Sequence, residues 1–339
     1  MTATRLEILC IGNAIVDVIA AADDEFLVRE GLAKGSMRLI DAEEADRLYS
    51  HMGPAREISG GSAGNSAAGI AMLGGRAGFV GQVADDQLGD VYAHDIGSIG
   101  VEFTTPRRPR AEAPTARCLV LVTPDAQRTM NTFLGAAQNL TAQSLDPDQV
   151  ASAAITYLEG YLWDPPTPRR AMVKAIEIAR QAGRKVALTL SDTFCVDRHR
   201  DGFLELLDSG RIDILFANEA EIGSLTNEPD FDRAVAQAAA KVPLLVVTRS
   251  EKGAIAVEKG RRTDVPAEPV GHVVDTTGAG DLFAAGFLTG HARGRTIEDS
   301  LRMGAIAAAE VISHYGARPE ADLEALVAQR LGQAVGNNR

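Results

Sequence analysis

The chain has 339 residues, 45% hydrophobic and 24% charged, enough for a large core with one subsidiary lobe, and its formal net charge is −12. So acidic a chain lacks the clustered positive field needed to coat nucleic acid, although backbone N–H groups and a few local cations can still hold a small anion. Three cysteines without CxxC spacing, six histidines without a metal-ligand pattern and the absence of a membrane-length apolar run lead us to expect a cytoplasmic protein with no structural zinc and no membrane partner.

The N-terminal segment has no basic leader region and reads as a strand pair over residues 6–21. Within it, strand alternation across Gly12-Asn13-Ala14-Ile15-Val16-Asp17 would turn Asn13, Ile15 and Asp17 to one face. Asp17 can accept both hydroxyls of a cis-diol there, the competing reading being a solvated edge strand. Residues 60–67, GGSAGNSA, open an alanine-rich helix. Gly61 suits a hinge or a close backbone approach to a ligand, and Asn65 carries a donor and an acceptor for a diol, the competing reading being a helix start packed tightly on a sheet.

A strand follows at 77–83, and the Pro- and Arg-rich residues 104–114 are excluded from the core. CLVLVT and RTMNTFL flank the turn Thr123-Pro124-Asp125 as a hairpin bearing Arg128 and Phe133. One domain over 1–339 is expected, with a small discontinuous β-sheet lid drawn from about 18–57 and 104–135. Its edge strands leave monomer and homodimer both open.

From residue 151 the strands ITYLEG, KVALTL, DILFA and PLLVVT alternate with helical stretches at 168–182, 199–208 and 219–240. This predicts an α/β doubly wound sheet flanked by helices, with ligand chemistry at the carboxyl ends of its strands. Tyr161 and Trp163, just after one such end, are candidates for an aromatic wall, a buried core pair being the commoner reading. Asn218-Glu219-Ala220-Glu221 has the form of a helix cap with a capping box. In the turn Thr248-Arg249-Ser250-Glu251-Lys252-Gly253, Arg249 is either a phosphate partner or a solvated charge. The polar tail, residues 335–339, reads as frayed.

The strongest signal is Asp275-Thr276-Thr277-Gly278-Ala279-Gly280-Asp281 before the helical LFAAGFLTG. A strand end, a glycine turn with convergent N–H groups and a helix N-terminus coincide there, which makes an anion hole. A carboxylate at Asp281 beside it can take a proton from an attacking hydroxyl, as phosphoryl transfer requires. Phe283 stands where a dinucleotide fingerprint needs its third glycine, and no Lys-Ser/Thr pair follows to make a P-loop.

At this string the chain resembles the ribokinase-like, or PfkB, family of sugar and nucleoside kinases, and the resemblance runs over nearly the whole sequence. It implies Asp281 as catalytic base, with Gly278, Ala279 and Gly280 as the anion hole. It further implies sugar-hydroxyl contacts from Gly61, Ser62 and Asn65, ATP contacts from Asn218, Thr248, Arg249, Gly253 and Thr277, and water-mediated Mg2+ binding by Asn218 and Glu221. Ser250 replaces a glycine of the family's TxGxxG nucleotide loop. A K+ site near Asp275 and the string Ser313–Ala317 follows from the resemblance alone. The GNxxxD spacing is more similar to adenosine kinases than to ribokinase, which implies Asp17 on the ribose diol and Asn13 near the base, with Phe133, Tyr161 and Trp163 as a base wall. The expected activity is ATP-dependent phosphorylation of a nucleoside 5'-hydroxyl, adenosine first. A sugar kinase acting on ribose or fructose is the alternative, and a catalytically silent nucleoside-binding protein a remote one.

Overall fold

The computed structural model describes residues 4–125 and 127–337; the end of the tail expected to fray lies outside them. Its strands in chain order are β1 (Leu6–Ile11), β2 (Ile15–Ala21), β3 (Met37–Leu39), β4 (Ala55–Gly60), β5 (Ala77–Val80), β6 (Glu102–Phe103), β7 (Ala116–Val122), β8 (Arg128–Phe133), β9 (Ala153–Glu159), β10 (Lys185–Thr189), β11 (Ile214–Asn218), β12 (Leu244–Thr248), β13 (Ala254–Glu258) and β14 (Arg261–Val265). They form a nine-stranded sheet in the order β14-β13-β12-β11-β10-β9-β1-β5-β6 and a five-stranded sheet in the order β3-β8-β7-β2-β4. From β12 to β6 every pairing in the large sheet is parallel; β13 and β14 add an antiparallel edge. The continuous apolar runs of β9 to β12 require cover on both faces. Two buried clusters supply it, one containing Tyr157, Phe216 and Phe287, the other Trp163, Phe203 and Leu245.

The strand pair expected over residues 6–21 is corrected. β1 pairs with β5 and β9, whereas β2 pairs with β4 and β7, so the chain leaves one sheet for the other at Gly12–Ala14. Asn13 lies in that passage and not on a strand, which removes the alternation argument for its side chain. Ile15 and Asp17 do share a face of β2.

Register fixes what stands beside Asp17. It is opposite Ile58 on β4 and Cys118 on β7, Cys118 is opposite Thr132 on β8, and Thr132 is opposite Leu39 on β3. Partners across a sheet point the same way, so Leu39, Thr132, Cys118, Asp17 and Ile58 form one row. Phe133 is opposite Arg117, itself opposite Val16, and therefore lies on the other face. One residue of offset is enough to move it there.

Among the described residues no helix is long and apolar enough to cross a membrane, and no three His, Cys, Asp or Glu side chains gather as a metal site. The three cysteines are buried free thiols.

Candidate active site

The parallel strands end side by side, and in-register pairs place Glu159 next to Thr189 and Asn218 next to Thr248 along one edge of the large sheet. Above that edge is a cavity of about 230 Å³, whose lining includes Ser62, Tyr157, Thr189, Asn218, Glu221, Thr248 and the run Gly278–Asp281. The helix Ala279–Ala292 begins at this cavity, capped by Gly278 at φ +79, a left-handed conformation that a glycine adopts without strain. A Cβ on Gly278 would also lie 2.7 Å from Cβ of Ala317, whereas one on Gly280 would meet nothing within 4 Å. The first-turn N–H groups lack intrahelical acceptors; Ala279 N donates to Thr276 O at 3.2 Å, and the open side of Gly280 leaves room for an anion beside the turn.

Asp281 stands in that first turn. Its Oδ1 accepts from Ser62 Oγ at 2.6 Å and its Oδ2 from Asn65 Nδ2 at 3.0 Å. Burial pushes its carboxyl up, opposed by those two hydrogen bonds and by the charge of Arg318. The helix Ser62–Met72 presents both donors because Gly61, at φ +83, turns the chain sharply before it. A Cβ on Gly61 would fall 2.1 Å from the carbonyl oxygen of Asn13, so close packing fixes this glycine. Oδ1 of Asn65 is buried without a protein partner.

Across the cleft, burial raises Asp17 to about 6 against the charges of Arg318 and Arg128. Arg128, at the start of β8, forms a 2.8 Å ion pair with Asp275 in which both side chains are less than 10% exposed. Asp275 also accepts from Thr277 N, Thr277 Oγ1 and Gly316 N. The 313–317 segment is thus brought to Asp275, and Thr277 is committed to ordering the glycine turn. The strand end expected at Asp275 is not present: β14 closes at Val265, and the chain reaches the glycine turn as irregular backbone.

Residues 6–323 match the family described as pfkB family carbohydrate kinase. The chain belongs to the PfkB family. It is 50% identical to a crystallised adenosine kinase from Sinorhizobium meliloti, at TM-score 0.88 over 96% of this chain and 99% of that one. It is 49% identical to a probable sugar kinase from Rhizobium etli, at TM-score 0.89 over 97% and 99%. An adenosine kinase from Saccharomyces cerevisiae shares 27% identity over 91% of this chain and 95% of its own length. This PfkB protein is an ATP-dependent phosphotransferase with the ribokinase-like fold, and its substrate is a sugar or a nucleoside.

Several residues singled out in the sequence lie outside the lining of this cavity. Trp163 is stacked on Phe203 at 5.7 Å in the core, with the Arg169 guanidinium over its ring at 5.3 Å, and does not line the cavity. Apolar burial outweighs its position near a strand end. Tyr161 is half-buried against the same core, where burial first and the Asp192 charge beside it push its phenol up. Phe133 faces away from Asp17, as its register dictates, with Arg117 over its ring at 5.9 Å. Arg249 lies over Phe231 at 3.8 Å and reaches Glu219, residues that line a separate cavity beside the helix Glu219–Thr226. Gly253 serves the β12–β13 hairpin, where a Cβ would meet the carbonyl oxygen of Val265 at 2.1 Å. Ser250 takes a left-handed conformation, at φ +50, that favours glycine.

Glu159, at the end of β9, is a residue that the sequence did not single out. It is buried, and its carboxylate accepts from Asn13 N, from Asn13 Nδ2 at 2.6 Å and from Ala63 N at 2.9 Å. One side chain thus ties the GNAIVD segment to the GGSAGN helix, and its burial raises its carboxyl to about 7. Its only signal was a carboxylate at the end of an otherwise apolar strand.

The Asn218–Glu221 capping box forms as expected, with Glu221 N donating to Asn218 Oδ1 at 2.8 Å. Glu221 oxygens accept from Asn218 N at 3.0 Å and Nδ2 at 2.6 Å, and burial raises this carboxyl to about 7. Each oxygen keeps capacity for a further contact on the cavity wall, so the hard oxygen donors of this pair fit magnesium held through water.

Proposed function

We propose that this kinase transfers the γ-phosphoryl group of ATP to the 5'-hydroxyl of a nucleoside, adenosine first, with Asp281 as general base. The observation that carries this reading is the pair of hydrogen bonds from Ser62 and Asn65 to the Asp281 carboxylate beside the open side of Gly280. The acceptor O–H gives its proton to Asp281 as its oxygen bonds to the γ-phosphorus, and the bond to the β-phosphate oxygen breaks to release ADP. First-turn N–H groups at Gly278–Gly280 stabilise the charge on the transferring group. Burial favours this chemistry twice, by making Asp281 a stronger base and by excluding water as a competing acceptor.

Asp17 takes the ribose diol, with the unpartnered Oδ1 of Asn65 as a further acceptor. A nucleoside is preferred to a free sugar because of the row beside Asp17. Leu39, Thr132 and Cys118 offer an apolar surface that a purine covers and a free sugar does not. Asn218 and Glu221 would hold magnesium through water, and the ion, when bound, neutralises phosphate charge. The small sheet serves as the lid, with Arg128 meeting the phosphate side as it closes. A potassium ion beside the 313–317 segment remains part of the proposal, supported by its attachment to Asp275.

The second reading is a sugar kinase, favoured by the likeness to the Rhizobium etli protein. ADP release with adenosine, inosine, guanosine, cytidine, ribose and fructose offered separately, with Mg2+ and with K+ or Na+, decides between them. A response to nucleosides supports the Leu39, Thr132 and Cys118 row as the base surface. One to free sugars alone keeps Asp281 and discards that surface. No acceptor-dependent release at all returns the silent binder.

A further inference from the structure

Arg318 belongs to none of the motifs that mark the site, yet the loop between the helices Ile297–Val311 and Leu323–Asn337 delivers it there. Its Nη2 donates to the carbonyl oxygen of Ser59 and, at 2.6 Å, to the Ser59 hydroxyl, which in turn donates to Asp95 at 2.5 Å. Ser59 is on β4, two residues before the Gly61 turn that presents Ser62 to Asp281. A guanidinium from the last loop of the large domain is therefore fastened to the small sheet. Its hydrogen bonds go to a neutral serine, and its Nη1 is buried without a protein partner. The Asp17 carboxylate lies against Gly60, the residue after Ser59, where a Cβ would meet Asp17 Oδ2 at 2.4 Å, and Asp281 is bound to Ser62, three residues after Ser59. The guanidinium charge acts on Asp95, on Asp17 and on Asp281.

Asp17 and Asp281 come from opposite sides of the cleft, and the charge of Asp281 raises the cost of ionising Asp17. Asp281 is further faced by Ser62 and Asn65 from the helix Ser62–Met72, and its charge is felt by Tyr157 and Glu159 on β9 and by Tyr161 beyond it. Asp17 is faced by Cys118 on β7, by Arg128 on β8 and by Tyr92. Within this acidic surround Arg318 supplies the positive charge shared by the diol-binding and proton-accepting ends.

We propose that Arg318 is a positioning residue for phosphoryl transfer, the common counter-charge that keeps Asp17 and Asp281 ionised opposite one another while anchoring Ser59 beside the glycine turn. The inference rests on Asp281 being the general base. Neutralising Arg318 should then move the protonation of the base to higher pH, which an anchor alone would not do.

The test is the pH profile of kcat/KM for Arg318→Met, Arg318→Lys and Asp281→Asn, using ATP, Mg2+ and adenosine, or ribose if the acceptor panel selects it. Arg318→Met is expected to shift the acid limb upward by about one unit, with roughly tenfold lower kcat/KM at pH 6 and a smaller loss at pH 8.5. Arg318→Lys, which keeps the charge, is expected to leave the limb in place even where kcat falls or KM rises from the lost hold on Ser59. An unmoved limb in Arg318→Met, or an equal shift in Arg318→Lys, overturns the proposal and leaves an anchor. A fully active Asp281→Asn overturns the base reading and this inference together, whereas an inactive one with an unmoved Arg318→Met limb overturns this inference alone. Thermal melting reports folding of each variant, and Arg318→Gln carries the same test where the methionine does not fold.

Discussion

The hydroxyl of Ser62 donates a 2.6 Å hydrogen bond to the carboxylate of Asp281 across 219 residues of sequence, joining the two glycine turns of the site. Replacing Asp281 with Asn should cut kcat by about 10²- to 10⁴-fold while leaving acceptor affinity within a few-fold, as read by steady-state kinetics and calorimetry. Ser62→Ala removes a bond that favours the charged form. Its acid limb should move to higher pH by about one unit, and an unchanged limb would show that the hydroxyl does not tune the base.

Asp17 gives a second pH dependence. Its folded-state carboxyl is raised to about 6, so it is ionised above that pH and protonated below it. If Asp17 holds the diol, acceptance of two substrate hydroxyls should be complete near pH 7.5 and lost as pH falls through about 6. KM for the acceptor should rise across that interval, and Asp17→Asn should have a high KM that no longer varies there. A wild-type KM that is flat from pH 8 to 5 would exclude Asp17 from the diol.

The Arg128–Asp275 pair is buried on both sides, so removal of one partner strands the other. Asp275→Ala also leaves Gly316 N and Thr277 without their acceptor. A loss of about 3–5 kcal/mol is expected in denaturant unfolding. A loss below about 1 kcal/mol would mean that water already screens the pair.

Two backbone substitutions should act in opposite directions. Gly61→Ala puts a Cβ 2.1 Å from the Asn13 carbonyl oxygen at φ +83, and should cost at least about 2 kcal/mol and displace Ser62 from Asp281. Ser250→Gly relieves a left-handed backbone at φ +50 and should leave Tm unchanged or raised, by up to about 1 kcal/mol of stability. A clear fall in Tm would mean that the Ser250 side chain contributes more than its backbone costs.

Much of the large sheet was legible because its strands are contiguous apolar runs, and the GAGD turn was legible because its parts are adjacent in sequence. Phe133 was misplaced for a definite reason: a strand fixes alternation but not which parity faces the cleft, and only pairing through Cys118 and Thr132 to Asp17 decides it. Asn13 was assigned to a strand that ends at Ile11. Glu159 and Arg318 were missed because their partners lie 96 or more and 259 residues away, and nothing local marks either residue. Trp163 shows the converse, an aromatic at a strand end that the core claims first.

The small sheet meets the large one at both ends. Its near end continues from Gly12–Ala14 and into Gly61, while its far end, where β8 begins, is held by Arg128 to Asp275. If this sheet is the lid, a substrate enters by parting that ion pair, since the near end is covalently continuous. Filling the cavity then has an activation barrier of its own, separate from the chemical step. Arg128→Met would lower that barrier while slowing turnover, and stopped-flow mixing would register faster acceptor capture by a poorer catalyst.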